Sequence, residues 1–282
     1  MRYAVDISPA GSWGDPRTLA ELAALAERSG WDGVFLEDYV FYPGGLDTHD
    51  PWVTLAAIAL ATEHIRLGTM ITPLPRRRPW KVAAEAMTVD HLSGGRMILG
   101  VGSGDPASVD MTRLGEAEAA RTRAAMLDEG LEVIDGLWRG EPLSFEGNHY
   151  SLDDVALRPR PLQQPRIPIW IGGQLTRRGP RERALRWDGS CLFRVTPPKW
   201  EDLTVDDVRR LRADATSRRG PDRPFDIAVG GRERGGDAQA EAEYVGALAE
   251  AGATWWHEWV PPATPLDAVR AQILGGPLRP GA

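Results

Sequence analysis

The strongest constraint on how this chain folds is a repeated alternation. A short apolar run is followed by a longer segment with helical periodicity, eight times in succession. The short runs fall at residues 3–7, 33–36, 65–71, 96–101, 169–171, 190–193, 225–229 and 254–260. The helical patterns fall at 17–29, 51–62, 79–92, 117–138, 181–187, 205–218, 238–251 and 265–274. In the first of these, Leu19, Leu22, Ala23 and Ala26 repeat at i, i+3, i+4 and i+7, and Gly30 is placed to stop the helix. Asp50 stands where the second needs an N-cap, and Leu127, Leu131, Ile134 and Trp138 form the seam of the fourth.

Eight strand–helix units in 282 residues predict an α/β fold, a single (β/α)8 TIM barrel spanning residues 1–282. One interruption follows the fourth unit, at about residues 139–167. Residues 142–157 alternate around Glu146-Gly147-Asn148 and read as a small hairpin, and 158–168 is a Pro-rich connector. An open doubly wound sheet is the competing topology. It calls for GxGxxG after the first strand, where this chain has Ser8-Pro9-Ala10-Gly11.

Composition removes several kinds of chemistry. The net charge of −7 argues against a general nucleic-acid binder. The lone Cys191 excludes an internal disulfide and a multi-cysteine zinc site. The five histidines are far apart, with no HExxH, so no metal is expected; no Gly-Lys-Ser/Thr offers a phosphate loop. Lys81 and Lys199 are the only lysines among 33 basic residues, which leaves little for lysine-based covalent chemistry. An acid at position 6 and no signal-length apolar run predict a cytoplasmic protein with no membrane partner.

In a barrel of this kind the chemistry lies at the carboxyl ends of the strands. Those tips carry Ser8; Glu37, Asp38 and Tyr39; Met70, Ile71 and Thr72; Gly102, Ser103, Gly104 and Asp105; Gly172, Gly173 and Gln174; Arg194; Gly230, Gly231 and Arg232; and Glu258 with Trp259. Gly172-Gly173 precedes a helical segment bearing Arg177, Arg178, Arg181 and Arg183, a candidate phosphate cradle or simply a tight turn with solvated arginines. Asp105 can move a proton or cap the next helix. Arg76-Arg77-Arg78 reads as a solvated charged face or as a landing strip for an anionic tail. Ser93-Gly94-Gly95-Arg96 precedes its strand and so belongs to the stability face. Trp13, Tyr39, Phe41, Tyr42 and Trp259 bias the mouth toward an apolar or aromatic substrate.

An ordered set of segments resembles the luciferase-like flavin-dependent oxidoreductases. It comprises Gly30-Trp31-Asp32-Gly33-Val34, Asp50-Pro51-Trp52, Ile65-Arg66-Leu67-Gly68-Thr69, Arg78-Pro79 and the run from Asp90-His91-Leu92-Ser93-Gly94-Gly95-Arg96 to Leu99-Gly100-Val101-Gly102. It continues with Asp128-Glu129-Gly130-Leu131, Leu137-Trp138, Pro159-Arg160-Pro161, Ile169-Trp170-Ile171-Gly172-Gly173 and Trp187-Asp188-Gly189. The likeness covers roughly residues 1–190; beyond it only the strand–helix alternation fits. The resemblance implies FMN or the deazaflavin coenzyme F420 at the strand tips. It implies a bulged third strand, often with a non-proline cis peptide, at Met70-Ile71 beside Thr72, backing the ring. It places the phosphate near Gly172-Gly173 and Asp188-Gly189, with Gly102, Ser103 and Gly104 alongside, and makes Asp105 match an acidic catalytic position. It also implies a small-molecule substrate, and a homodimer is among the arrangements open to it. Many relatives carry a histidine after the acid at the second tip, where this chain has Asp38-Tyr39. A phenol with a pKa of about 10 is a poor base, though it can donate a hydrogen bond.

The residues are compatible with three functions. The first is a flavin-dependent oxidoreductase with Asp38, Tyr39 and Asp105 as catalytic residues, acting either as an FMN monooxygenase supplied by a separate flavin reductase or as an F420 hydride-transfer enzyme. The second is a flavin-binding barrel without chemistry. The third is a cofactor-independent lyase or hydrolase using Glu37, Asp38 and Asp105 as paired carboxylates.

Overall fold

The computed structural model describes residues 1–196 and 199–279; the side chain of Lys199 lies outside that description, as do residues 197–198 and 280–282. Four strand–helix units come first: β1 (Arg2–Ile7) with α1 (Pro16–Arg28), β2 (Gly33–Leu36) with α2 (Pro51–Ala61), β3 (Arg66–Pro73) with α3 (Pro79–Leu92), and β4 (Met97–Gly102) with α4 (Val109–Thr112) and α5 (Ala120–Leu137). A hairpin of β5 (Leu143–Glu146) and β6 (Ser151–Val155) follows. The alternation then resumes with β7 (Ile169–Gln174), α6 (Arg178–Ala184), β8 (Gly189–Thr196), β9 (Lys199–Glu201) and α7 (Val205–Arg219). β10 (Asp226–Arg232), α8 (Ala238–Glu250), β11 (Trp255–Val260) and α9 (Leu266–Leu274) complete it.

The parallel strands run β10-β11-β1-β2-β3-β4-β7-β8, and β8 pairs back onto β10, so the barrel closes. The expected fold, including the hairpin after the fourth unit, is what forms. Local chemistry sets the element ends. The Asp50 side chain accepts the Val53 amide and caps α2, with Pro51 in the first turn where no N–H is needed. The chain leaves α1 through Gly30 at φ 84°, a conformation costly for any residue with a Cβ. Besides a single 3-10 turn at Leu74–Arg76, two elements were not expected. α4 is too short to show a helical period, and β9 is an antiparallel strand folded back on β8 beyond the barrel wall. α6 starts earlier than its apolar pattern, because Pro180 is tolerated inside a first turn.

Alternation along each strand divides the core in two. Val5, Ile7, Val34, Leu36, Leu67, Leu99, Val101, Ile169 and Ile171 face the helices. Ala4, Phe35, Ile98, Trp170, Ala228 and Trp255 fill the lumen, with Met70 and Cys191 packed against them. Phe35 stacks on Trp170 at 5.4 Å between centroids, and Trp255 meets Phe35 edge-on at 5.9 Å, so the lumen is plugged by rings. At the amino ends of the strands the Arg96 guanidinium donates to the carbonyls of Ala59, Thr62, Ile65 and Ser93, tying α2 and the approaches to β3 and β4 together.

Candidate active site at the barrel mouth

Above the aromatic plug the third strand is irregular. Its register with β4 shifts between Thr69 and Thr72, and the Met70-Ile71 peptide is cis. Ile71 is turned toward the barrel axis between two glycines. A Cβ on Gly102 would come within 2.3 Å of Ile71 Cδ1, and one on Gly172 within 2.4 Å. Both positions are thus held to glycine by the Ile71 side chain. Gly104, at φ 81°, is shielded by Met111, and Gly173 is crowded by Pro180. Met70 and Ile71, both half-buried, leave an apolar floor to the mouth.

The walls carry the polar groups. Glu37 accepts hydrogen bonds from the Ser8 hydroxyl, from the Tyr42 hydroxyl at 2.9 Å and from the Trp259 indole at 3.4 Å, all on Oε2. Burial pushes the Glu37 carboxyl above its ordinary value, against the lowering pull of those three donors. Tyr39 stands beside Tyr42, 5.2 Å between rings. Burial, then the nearby charges of Glu37 and Asp105, pushes its phenol far up, so it holds its proton. Asp105 accepts the Ala107 amide at 3.0 Å in a turn, and its own carbonyl takes the Ser108 hydroxyl. The Ser103 carbonyl accepts from Arg123 at 3.1 Å.

Beneath the loop that follows β2 lies a buried ion cluster. Asp38 Oδ1 pairs with Arg76 at 2.6 Å and Arg77 at 2.8 Å, while Oδ2 accepts from Thr72 at 2.8 Å and from Trp52 at 3.2 Å. Arg76 also pairs with Asp110 of α4, whose carboxylate receives the amides of Val40 and Phe41. The cluster therefore pins three mouth loops to one another.

These contacts correct several expectations. Asp38 has both oxygens committed inside the protein, so no catalytic lone pair is left. The Thr72 hydroxyl is spent on Asp38 and the residue is fully buried. Arg76 and Arg77 are neither a solvated face nor a landing strip, because two buried aspartates claim them; only Arg78 is exposed. Asp188 and Gly189 lie at the start of β8, where Asp188 pairs with Arg166 at 2.9 Å and accepts the Ile169 amide. In a parallel barrel that is the end opposite the mouth, so they cannot share a site with Gly173. Trp13 is core, 1 % exposed, its indole donating to the Thr264 carbonyl at 2.8 Å. Around α6, Arg181 and Arg183 are taken by Asp214 and Asp128. Among the described residues Arg177 and Arg178 form no ion pair; Arg177 holds Gln174 at 2.8 Å. The group that sequence reasoning named as a tip but did not select for the oxidoreductase is Glu37. A signal was present: it is the acid of an adjacent pair that strand alternation sends inward.

A closed parallel barrel with its uncommitted polar groups at the strand tips is one whose working end is that mouth. The sequence model of the luciferase-like monooxygenases matches residues 3–273, and the chain belongs to that family. It is 33% identical over 211 residues to an F420-dependent glucose-6-phosphate dehydrogenase of Nakamurella multipartita, covering 73% of this chain and 59% of that one. It is 28% identical over 188 residues to the oxygenase component of a flavin-dependent trigonelline monooxygenase of Acinetobacter baylyi, covering 67% and 50%. The match thus spans between half and three-fifths of these curated relatives. Among solved structures, the F420-dependent tetrahydromethanopterin reductase of Methanopyrus kandleri superposes with a TM-score of 0.73, at 17% identity and 98% coverage of both chains. That likeness is one of fold. Among the described residues no helix is long and apolar enough to cross a membrane.

Proposed function

We propose that this protein is an oxidoreductase that uses a flavin-type cofactor, with the deazaflavin F420 as the first cofactor to test and FMN as the second. The carrying observation is the mouth itself: an apolar floor at Met70 and Ile71, half-buried rings at the rim, and a glycine pair at the end of β7 beside two arginines that form no ion pair among the described residues. That donor set fits a flat ring bearing an anionic tail. Ile71 and Met70 would lie under the ring, with Gly102, Ser103 and Gly104 at its edge. Gly172, Gly173, Arg177 and Arg178 would hold the tail. When bound, such a cofactor accepts or delivers hydride, and FMN in addition activates oxygen. The family relatives named for F420 and for flavin support this reading, and F420 comes first because the more similar of the two reported is named for it. Under the FMN reading a separate flavin reductase would be the partner. A small organic substrate, a cytoplasmic setting and a homodimer belong to the same proposal.

Within it the protein's own groups have distinct tasks. The ion cluster of Asp38, Arg76, Arg77 and Asp110 keeps the loops in place. The phenol of Tyr39 donates a hydrogen bond toward substrate oxygen, and Asp105 sits close enough to influence it. Titration of the purified protein with F420, FMN and riboflavin, followed by fluorescence, tests the reading. One phosphorylated cofactor is expected to bind at micromolar or lower concentration. Removing Arg177 and Arg178 together, as Gln, should weaken it by about tenfold or more while leaving riboflavin unchanged. Binding of none of the three would overturn it.

A further inference from the structure

We propose that Glu37 is the proton-transferring residue of the mouth, its Oε1 exchanging a proton with the oxygen of an alcohol or carbonyl substrate. This rests on the oxidoreductase reading above.

The hydrogen bonds at Glu37 are one-sided. Ser8 at the end of β1, Tyr42 in the loop after β2 and Trp259 on β11 all donate to Oε2. Oε1 receives no hydrogen bond from the described residues, and Glu37 is only partly buried. Three donors from three elements fix the carboxyl plane, so the free oxygen is held toward the mouth in one orientation. No cation compensates it: among the described residues Glu37 forms no ion pair, and the adjacent guanidiniums of Arg76 and Arg77 face Asp38. The titratable groups that face it are Asp6 on β1, itself paired with His257 of β11 at 2.8 Å, and the phenols of Tyr39 and Tyr42. Those surroundings are neutral or acidic. A carboxyl so placed binds its proton more tightly than an exposed one, so it is the stronger base when ionised and stays protonated closer to neutrality than an exposed carboxyl does. Tyr39 occupies the place of the expected histidine but keeps its own proton, so it orients the substrate oxygen while Glu37 moves the charge.

In the oxidising direction the substrate O–H bond breaks and its proton goes to Glu37 Oε1. The two electrons leave with the carbon-bound hydrogen as hydride to the flavin-type oxidant, and the C=O bond forms. Reduction runs the same transfers backward.

The test compares wild type with Glu37→Gln, with Glu37→Asp as the conservative control. Cofactor titration should give the same affinity for all three within about twofold, because Glu37 carries no tail contact. Infrared difference spectra of the cofactor-free protein should show a protonated carboxyl in wild type that titrates above the ordinary range and is missing in Glu37→Gln. With cyclohexanol, benzyl alcohol and the matching carbonyls as probes, kcat of Glu37→Gln should fall about a hundredfold or more, losing the acidic pH limb in alcohol oxidation and the alkaline limb in carbonyl reduction. Glu37→Asp should recover part of the rate. An unchanged rate and pH profile in Glu37→Gln, or no such carboxyl band, overturns the inference while leaving cofactor binding intact. Wild type inactive on every probe overturns the alcohol and carbonyl assignment. Failure of every cofactor to bind overturns the reading beneath it as well.

Discussion

Glu37 and Asp38 are consecutive, yet their carboxyl groups occupy opposite electrostatic worlds. Asp38 is wedged between two guanidiniums, an indole and a hydroxyl, while Glu37 meets three neutral donors and, among the described residues, no cation. Strand geometry is the cause. Successive side chains at the end of β2 leave on opposite faces, one toward the axis and one toward the helices. Two chemically similar residues thereby take unrelated roles.

Asp38→Asn should therefore be a stability mutant first. It leaves Arg76 and Arg77 buried with one negative partner fewer, a change that costs about 3 kcal/mol or more. Urea unfolding measures the loss, and the loops bearing Val40 and Phe41 should become more open to proteolysis. A variant as stable as wild type would show that the cluster is not what holds the mouth.

The glycines around Ile71 can be separated by a pair of variants. In Gly172→Ala the new Cβ clashes with Ile71 Cδ1 at 2.4 Å, while Ile71 Cγ2 and Cys191 Sγ sit at ordinary contact distances of 3.4 and 3.5 Å, and Ile71→Val deletes the clashing atom. The single change should cost about 1–2 kcal/mol, and the double variant should recover most of it. Gly100→Ala meets the Thr69 carbonyl oxygen at 2.1 Å, which is backbone. Ile71→Val should not rescue it. Thermal unfolding of the set distinguishes the two cases.

Asp207 gives a defined pH signature. Burial opposes its ionisation, but the Thr204 hydroxyl and amide together with Arg194 and Arg210 outweigh it and hold the pKa to about 2. Its folded pKa lies below the unfolded value of about 3.9, so the stabilisation is present above that value and is lost as pH falls toward 2. Asp207→Ala removes half of the capping box of α7 and should cost about 1 kcal/mol or more at neutral pH. The gap from wild type should shrink steadily between about pH 4 and pH 2 in unfolding curves. A gap that is constant with pH would mean packing, not charge, carries the effect.

Legibility in the sequence followed interaction range. The eight strands and their helices could be read because periodicity, the Asp50 cap and the Gly30 stop are written within a few residues of where they act. The bulge at Met70-Ile71 followed from family resemblance, not from any local pattern. What failed was partner choice across the fold. Arg76 meets Asp38 across 38 positions, and the Trp13 indole meets the Thr264 carbonyl across 251. No local pattern encodes those distances, so a buried ion cluster looked like a surface charge run and a core indole looked like a pocket wall. Asp188 was drawn to the mouth by resemblance, although it precedes its strand and so belongs to the far end. Glu37 was visible as a tip residue, but its one-sided hydrogen bonding exists only after β1, β2 and β11 are side by side.

Phe35, Trp170 and Trp255 pack ring against ring across the lumen, so the barrel axis is closed beneath the floor at Met70 and Ile71. A molecule held at the mouth therefore has no exit through the amino-terminal end of the barrel.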